Sequence, residues 1–338
     1  MTVNLISDTA TQPTAAMLAA MFAAEVGDDV FRQDPSVNEL EAYAAGLFGM
    51  DAALFCPSGT MTNQLAIKCH TRPLDEVICE EKSHIYQYEG GVYSLLSSVS
   101  LQLLRGEHGK VLPGQVEQAV RPLYDWLPRS RLLVLENTSN KGGGSIYTIA
   151  EASTLVEEAR HHQLAVHLDG ARLFNALVET GEKPAQWGEL FDTISICLSK
   201  GLGAPVGSLL LGPAGLIDEA RRYRKVLGGG MRQAGYLAAA GLYALRHHVD
   251  RLREDNARAR VLAEQLRQSP LVASVAPTQT NICIFELAQE SAESFLEKLK
   301  AVGILATPFG PRTVRFTTHL GVTDEQINYV RDRLSQLA

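Results

Sequence analysis

Charge of one sign, cysteine and long apolar runs are all scarce in this chain, and each scarcity removes a class of function. The 31 Lys and Arg against 38 Asp and Glu leave a formal net charge of -7 over 338 residues. The chain as a whole therefore has no attraction for a phosphate backbone or an anionic bilayer, although a local basic patch can still hold a small anion. Neither nucleic acid nor membrane is an expected partner. No uninterrupted apolar stretch is long enough to span a bilayer. The first residues, Met1-Thr2-Val3-Asn4, lack a basic flank followed by an apolar run and a small-residue cleavage site, so no signal peptide is expected. The five cysteines, Cys56, Cys69, Cys79, Cys197 and Cys283, are scattered, odd in number and mostly inside apolar segments. That pattern fits reduced, buried thiols and neither a disulfide framework nor a zinc site. A cytoplasmic protein without metal ligands is the expectation.

What is present is ordinary globular material, 46% hydrophobic and 20% charged. Strand-like apolar runs recur at Ala52 to Cys56, Glu76 to Cys79, Leu101 to Leu104, Leu132 to Glu136, Ala165 to Leu168, Thr193 to Leu198 and Ser208 to Leu211. Between them lie helical patterns such as Thr60 to His70, Gly114 to Arg121 and Ile149 to His162. This alternation predicts an α/β domain with a mostly parallel sheet buried on both faces, and ligands at the strand ends. One long helix is expected from Gly235 to Arg267, and beyond it short strands and helices predict a small α+β domain. The expected division is a large domain over residues 1–245, N-terminal arm included, and a small C-terminal domain over 246–338.

The sharpest local signal is Ser195-Ile196-Cys197-Leu198-Ser199-Lys200-Gly201-Leu202-Gly203, where a lysine leaves an apolar strand and enters a glycine-rich turn. Partial desolvation there favours the neutral amine that forms a Schiff base; a lysine that merely caps a strand is the plainer alternative. Asp169 follows the apolar strand Ala165 to Leu168, about one βαβ unit earlier. A carboxylate at that place can pair with a protonated pyridine nitrogen, or simply cap a helix, as Arg172 can simply make a surface ion pair. Cys56-Pro57-Ser58-Gly59-Thr60 gives a strand, a tight turn and a helix start, suited to a phosphate or to ordinary capping. His84 can stack on a planar ring or stand as a loop histidine.

On these segments the sequence resembles the low-specificity L-threonine aldolases, within the β-eliminating lyases and aldolases of pyridoxal-phosphate fold type I. The likeness runs from Leu5-Ile6-Ser7-Asp8-Thr9 and Val26-Gly27-Asp28-Asp29 to Val314-Arg315-Phe316-Thr317. It is most specific around Lys200, His167 to Arg172, and Gly228-Gly229-Gly230-Met231-Arg232. It implies pyridoxal 5'-phosphate as cofactor, with Lys200 as the Schiff-base lysine, Asp169 on the pyridine nitrogen, His84 on the ring, and Ser58, Gly59 and Thr60 at the phosphate. It also implies Arg172 beside cofactor and substrate, Ser7 and Arg315 on the substrate carboxylate, and Arg232 reaching a neighbouring subunit's phosphate in a homotetramer of dimers that share sites. Four positions depart from the family pattern. Trp126 and Ser139 stand where histidine is frequent, and Ile6 and Phe31 where arginine and tyrosine are frequent. Trp126 is accordingly expected to contact substrate as a broad apolar face with no basic nitrogen, unless it only packs on a surface loop.

The expected reaction is cleavage of a β-hydroxy-α-amino acid, such as L-threonine or L-allo-threonine, to glycine and an aldehyde, with His84 or an ordered water taking the hydroxyl proton. A β-eliminating lyase using the same Lys200 is the nearest alternative. A non-catalytic protein that only binds pyridoxal phosphate is an alternative of another class.

Overall fold

The computed structural model describes residues 1–337. Seven strands make the central sheet: β1 (Ala52–Cys56), β2 (Asp75–Glu80), β3 (Ser100–Leu104), β4 (Arg129–Glu136), β5 (Ala165–Asp169), β6 (Thr193–Cys197) and β7 (Ser208–Gly212). Each falls within a residue or a few of the expected run, because a strand covered on both faces reads as a continuous apolar stretch. The spatial order is β1-β7-β6-β5-β4-β2-β3, and only β7 runs against the others. The chain goes from β2 outward to β3 and then returns past β2 to β4. The order therefore reverses between β2 and β4, and a crevice opens beyond their carboxyl ends.

Of four apolar clusters among the described residues, the two largest are separate cores. One packs Phe48, Phe55, Leu133, Leu168, Trp187, Ile196 and their neighbours around the central sheet. The other is built on a four-stranded antiparallel sheet, in the order β10-β11-β9-β8, of β8 (Val272–Val275), β9 (Ile282–Leu287), β10 (Thr307–Pro308) and β11 (Thr313–Thr317). Val3 and Leu5 are fully buried in this second core. A two-residue strand, Val3–Asn4, pairs in parallel with Ile304–Leu305, so the N-terminal arm is bonded to the far end of the chain.

The helix expected from Gly235 to Arg267 is two helices, Gly235–His247 and Leu252–Arg267. The first buries Ala238, Ala240 and Leu245 in the large core and the second buries Leu262, Ala263 and Leu266 in the small one. One straight rod does not serve both. The break is held by the His248 imidazole, which bonds the Leu202 carbonyl at 2.7 Å.

All five cysteines are free, four of them buried and Cys69 half-buried. Burial pushes the thiols of Cys56, Cys69, Cys79 and Cys283 up to about 12, which makes them inert packing residues. Among the described residues no helix is long and apolar enough to cross a membrane.

Candidate active site

Two strand ends on either side of one register pair bring acidic groups to the crevice. Glu136 ends β4, Asp169 ends β5, and the two are directly opposite. Asp169 is only 2% exposed. Its Oδ2 accepts from Asn63 Nδ2 at 2.8 Å and its Oδ1 from the Ala171 N–H at 3.2 Å. Asn63 Nδ2 also donates to Glu89 Oε1 at 2.9 Å. Glu89 further accepts from Gln64 Nε2 at 2.6 Å and from His84 Nδ1 at 2.8 Å. A buried carboxylate accepting three N–H bonds is an orienting group.

His84 begins the short helix His84–Gln87 just past β2. Because Nδ1 is bonded to Glu89, Nε2 is the imidazole nitrogen without a protein partner among the described residues. Burial alone lowers the His84 pKa, but the Glu89 bond and the charges of Asp169 and Glu136 outweigh it and the net shift is upward. The backbone N–H groups of His84 and Asn140 both donate to Glu136, at 2.7 and 2.8 Å. Glu136 itself is pushed up to about 7, by burial first and then by the charge of Asp169.

A cationic cluster faces these acids. Arg172 is buried and forks onto Asp8, Nε to Oδ2 and Nη2 to Oδ1, both at 2.7 Å. Burial works against the Asp8 charge, yet Arg172, Lys200 and the Asn281 amide together hold its carboxyl well below the usual range. Arg315, on β11, has no carboxylate partner among the described residues. Its Nη1 donates to Asn140 Oδ1 at 2.8 Å and its Nη2 to the Ile6 carbonyl at 2.9 Å, while its buried Nε has no partner. Burial, and then the charge of Arg172, bring its pKa down to about 10. A buried guanidinium bonded only to neutral acceptors favours an incoming anion. Ser7 lies on the same arm, capping the turn Asp8–Ala10 with its Oγ.

Lys200 leaves β6 half-buried, and its carbonyl accepts from the Gly203 N–H at 2.9 Å. The return to β7 passes Gly207 at φ +119°, where a Cβ would stand 2.4 Å from the Phe55 ring; this turn needs glycine. Ser58 caps the helix Gly59–His70, accepting from the Met61 N–H at 3.2 Å. A Cβ on Gly59 would lie 2.6 Å from Cys197 Sγ, so the helix start is seated directly on β6. Gly59 and Thr60 present the first turn of that helix.

Two expected residues lie elsewhere in the chain. Arg232 is half-exposed and bonds Asp28 at 2.8 Å. Trp126 is 74% exposed and stacks on Tyr124 with ring centroids 4.8 Å apart. It precedes β4 at the amino end of the sheet, and eight residues of strand at about 3.3 Å each separate that end from Glu136. One chain's fold does not bring Trp126 to its own crevice. Ser139 is buried and accepts from the Gly142 N–H at 3.1 Å, while Ile6 is represented in the site by its carbonyl and Phe31 is 67% exposed.

Four residues of the site escaped the sequence reading: Asp8, Asn63, Glu89 and Glu136. Glu136 carried a usable signal, since Leu132-Leu133-Val134-Leu135-Glu136 ends an apolar strand on a carboxylate just as Val166-His167-Leu168-Asp169 does. Asp8 and Asn63 have partners more than a hundred residues away, and Glu89, though only five residues from His84, sits in no local pattern that marks it.

The family model for beta-eliminating lyases matches residues 4–290. The low-specificity L-threonine aldolase of Escherichia coli K12 is 43% identical over 328 residues, 96% of each chain. A threonine aldolase structure from Leishmania major superposes with a TM-score of 0.86 at 20% identity, covering 99% of both chains. A serine palmitoyltransferase from S. paucimobilis, solved with a bound PLP-myriocin aldimine, has a TM-score of 0.77 at 19% identity and covers 99% of this chain and 87% of its own. The central sheet, the two cores and the crevice are thus a fold shared with pyridoxal-phosphate enzymes of fold type I. With a relative this similar along nearly its whole length, the chain belongs to the low-specificity L-threonine aldolases of the beta-eliminating lyase family.

Proposed function

We propose that this protein is a pyridoxal-phosphate lyase that cleaves L-threonine, L-allo-threonine or a related β-hydroxy-α-amino acid to glycine and an aldehyde. The observation that carries the reading is the buried Asp169 carboxylate, fixed by Asn63 within 4.8 Å of the His84 and Glu89 ligand atoms, on a chain whose relatives are threonine aldolases. The residues present fit the cofactor. Lys200 would hold it covalently, Asp169 would pair with its ring nitrogen, and His84 would lie on its ring. Ser58, Gly59 and Thr60, at a helix start that a Cβ on Gly59 would disrupt, would take its phosphate. When bound, the cofactor supplies an electron sink for the bonding pair released at Cα.

The protein groups do the rest. Arg315, whose buried Nε is unpartnered, takes the substrate carboxylate, with Ser7 on the same arm as a further donor. Arg172 keeps its fork on Asp8 and so shapes the carboxylate site by position and charge. Cleavage transfers the β-hydroxyl proton to His84 Nε2, breaks Cα–Cβ and releases the aldehyde; Cα then takes up a proton from solvent to give glycine while His84 returns its proton to solvent, so no net proton is gained or lost. Glu89 fixes the His84 tautomer that leaves Nε2 as acceptor. Arg232 and Trp126 act, in this reading, across contacts between subunits, Arg232 on a neighbour's phosphate and Trp126 on a neighbour's substrate, in a homotetramer built as a dimer of dimers.

Incubation with L-threonine and with phenylserine, scored for glycine plus aldehyde against keto acid plus ammonia, tests the reading. Glycine and aldehyde in equal amounts are expected. Keto acid and ammonia would assign a β-eliminating lyase, and cofactor binding without turnover would assign a non-catalytic protein.

A further inference from the structure

The layer between the helix Gly59–His70 and the strands β5 and β6 is polar where a helix on a sheet is ordinarily apolar. Asn63 and His70 lie seven residues apart on one helix face, His167 and Asp169 two apart on one strand face, and Thr193 and Ser195 likewise on the next strand. Thr62, Asn63, His167, Asp169, Thr193 and Ser195 are each at most 2% exposed. Polar groups buried this deeply cost stability unless they are fully bonded, and here they are bonded in sequence. Asn63 Nδ2 donates to Asp169 and Glu89, and Asn63 Oδ1 meets His167 Nε2 at 3.2 Å. His167 Nδ1 meets Thr193 Oγ1 at 2.9 Å, and Thr193 Oγ1 meets His70 Nε2 at 2.9 Å.

The direction of every bond follows from the two carboxylates. They accept only, so the Asn63 amide must turn its NH2 to them and its oxygen to His167. His167 Nε2 is then the donor and Nδ1 the acceptor, Thr193 donates its hydroxyl to Nδ1, and His70 Nε2–H donates to Thr193. The reverse tautomer, with Nδ1–H on the Thr193 carbonyl at 3.2 Å, would set the Nε2 lone pair against the Asn63 oxygen. Burial, only partly offset by Asp169, brings His167 down to about 3, and burial brings His70 down to about 4. Both imidazoles are therefore neutral throughout the physiological range, as a chain with one donor per link requires. Its outer end, His70, lines a separate pocket of about 500 Å3 with Cys69, Arg72 and Arg131 at the opposite edge of the sheet.

We propose that Asn63, His167, Thr193 and His70 form a one-directional hydrogen-bond relay that holds the Asp169 carboxylate aimed into the crevice and, through Glu89, holds His84 as well. Asn63, His167 and Thr193 are positioning residues: they act through Asp169 and Glu89. The inference rests on the proposed role of Asp169 as partner of the cofactor ring, and its test separates the two.

Nitrogen-15 spectra of the full chain with labelled histidine, with His167 assigned by its loss in His167→Gln, should show a neutral Nε2–H imidazole from pH 5 to 8. Thr193→Val keeps the shape of the side chain and removes its hydroxyl; His167 should stay Nε2–H, held by Asn63, while its Nδ1 loses the Thr193 donor and its nitrogen resonance shifts toward that of an unbonded imidazole nitrogen. The substitution should also weaken pyridoxal-phosphate binding about three- to tenfold, the worth of one buried hydrogen bond, and shift the visible band of the bound cofactor. Thr193→Ser should restore the Nδ1 resonance and the band, and the affinity to within about twofold. An Nδ1–H or cationic His167 in the parent protein overturns the relay. So does a Thr193→Val protein that folds with unchanged Nδ1 resonance, band and affinity. If the parent protein binds no pyridoxal phosphate the functional reading falls instead, and the parent's tautomer still decides the relay.

Discussion

Removing the Asp8 carboxylate should destabilise the protein far more than an ordinary loop substitution. Asp8 is fully buried, and it is the only carboxylate bonded to Arg172 among the described residues, through two bonds of 2.7 Å. Asp8→Ala leaves a guanidinium that is 7% exposed without a counter-charge, and leaves one of the Asn281 amide bonds unmade. Stranding one member of a buried ion pair costs about 3–5 kcal/mol, whereas replacing both members with apolar groups is often close to neutral. The double variant Asp8→Ala/Arg172→Met should therefore be more stable than Asp8→Ala alone, with a coupling of about 2–3 kcal/mol. Because the folded-state pKa of Asp8 is depressed, its contribution is fully present above the unfolded value of about 3.9 and is lost as pH falls through the lower folded value. The penalty should accordingly be the same at pH 5 and pH 8. Urea unfolding of cofactor-free protein, followed by circular dichroism at both values, reads all three quantities. An Asp8→Ala protein within about 1 kcal/mol of the parent, or a double variant weaker than the single one, would show that the pair is not the buried unit described.

Three further outcomes follow from the site. His84→Asn should lower kcat for aldehyde release by about 100- to 10,000-fold. In the parent the acidic limb of the kcat profile, where activity rises as His84 loses its proton, should lie above the usual histidine value of about 6.5, since the shift is upward; a limb below pH 6 contradicts the assignment. Glu136, raised to about 7, binds an extra proton in the folded state between its unfolded value of about 4.3 and the folded one. Stability of the cofactor-free protein should thus fall as pH rises through that window, and Glu136→Gln should flatten the slope in melting temperature from pH 5 to 8. Gly59→Ala, with its Cβ 2.6 Å from Cys197 Sγ, should destabilise by about 1–3 kcal/mol and weaken phosphate binding, and adding Cys197→Ala should recover much of the stability in thermal melts.

Strands and their ends were legible in the sequence because burial on both faces erases alternation and leaves apolar runs. Lys200 and Asp169 stood out as charged residues at such ends, and Glu136 meets the same criterion. Asp8, Asn63 and Glu89 were not legible: Asp8 meets Arg172 across 164 positions and Asn63 meets Asp169 across 106, and only the folded sheet brings them together. The break between the helices Gly235–His247 and Leu252–Arg267 was hidden for a related reason, since helical periodicity continues through it while the core each helix serves changes. Trp126 shows the same limit from the other side, because alignment to a family pattern identifies a position without saying which end of the sheet, or which subunit's crevice, that position faces.

Borohydride reduction of the protein loaded with pyridoxal phosphate, followed by peptide mapping, tests most directly that this crevice is the cofactor site. The phosphopyridoxyl label is expected on Lys200 alone and should be absent from Lys200→Ala. A stoichiometric label on another lysine, or a labelled Lys200→Ala protein with undiminished glycine release, would contradict the assignment of the site.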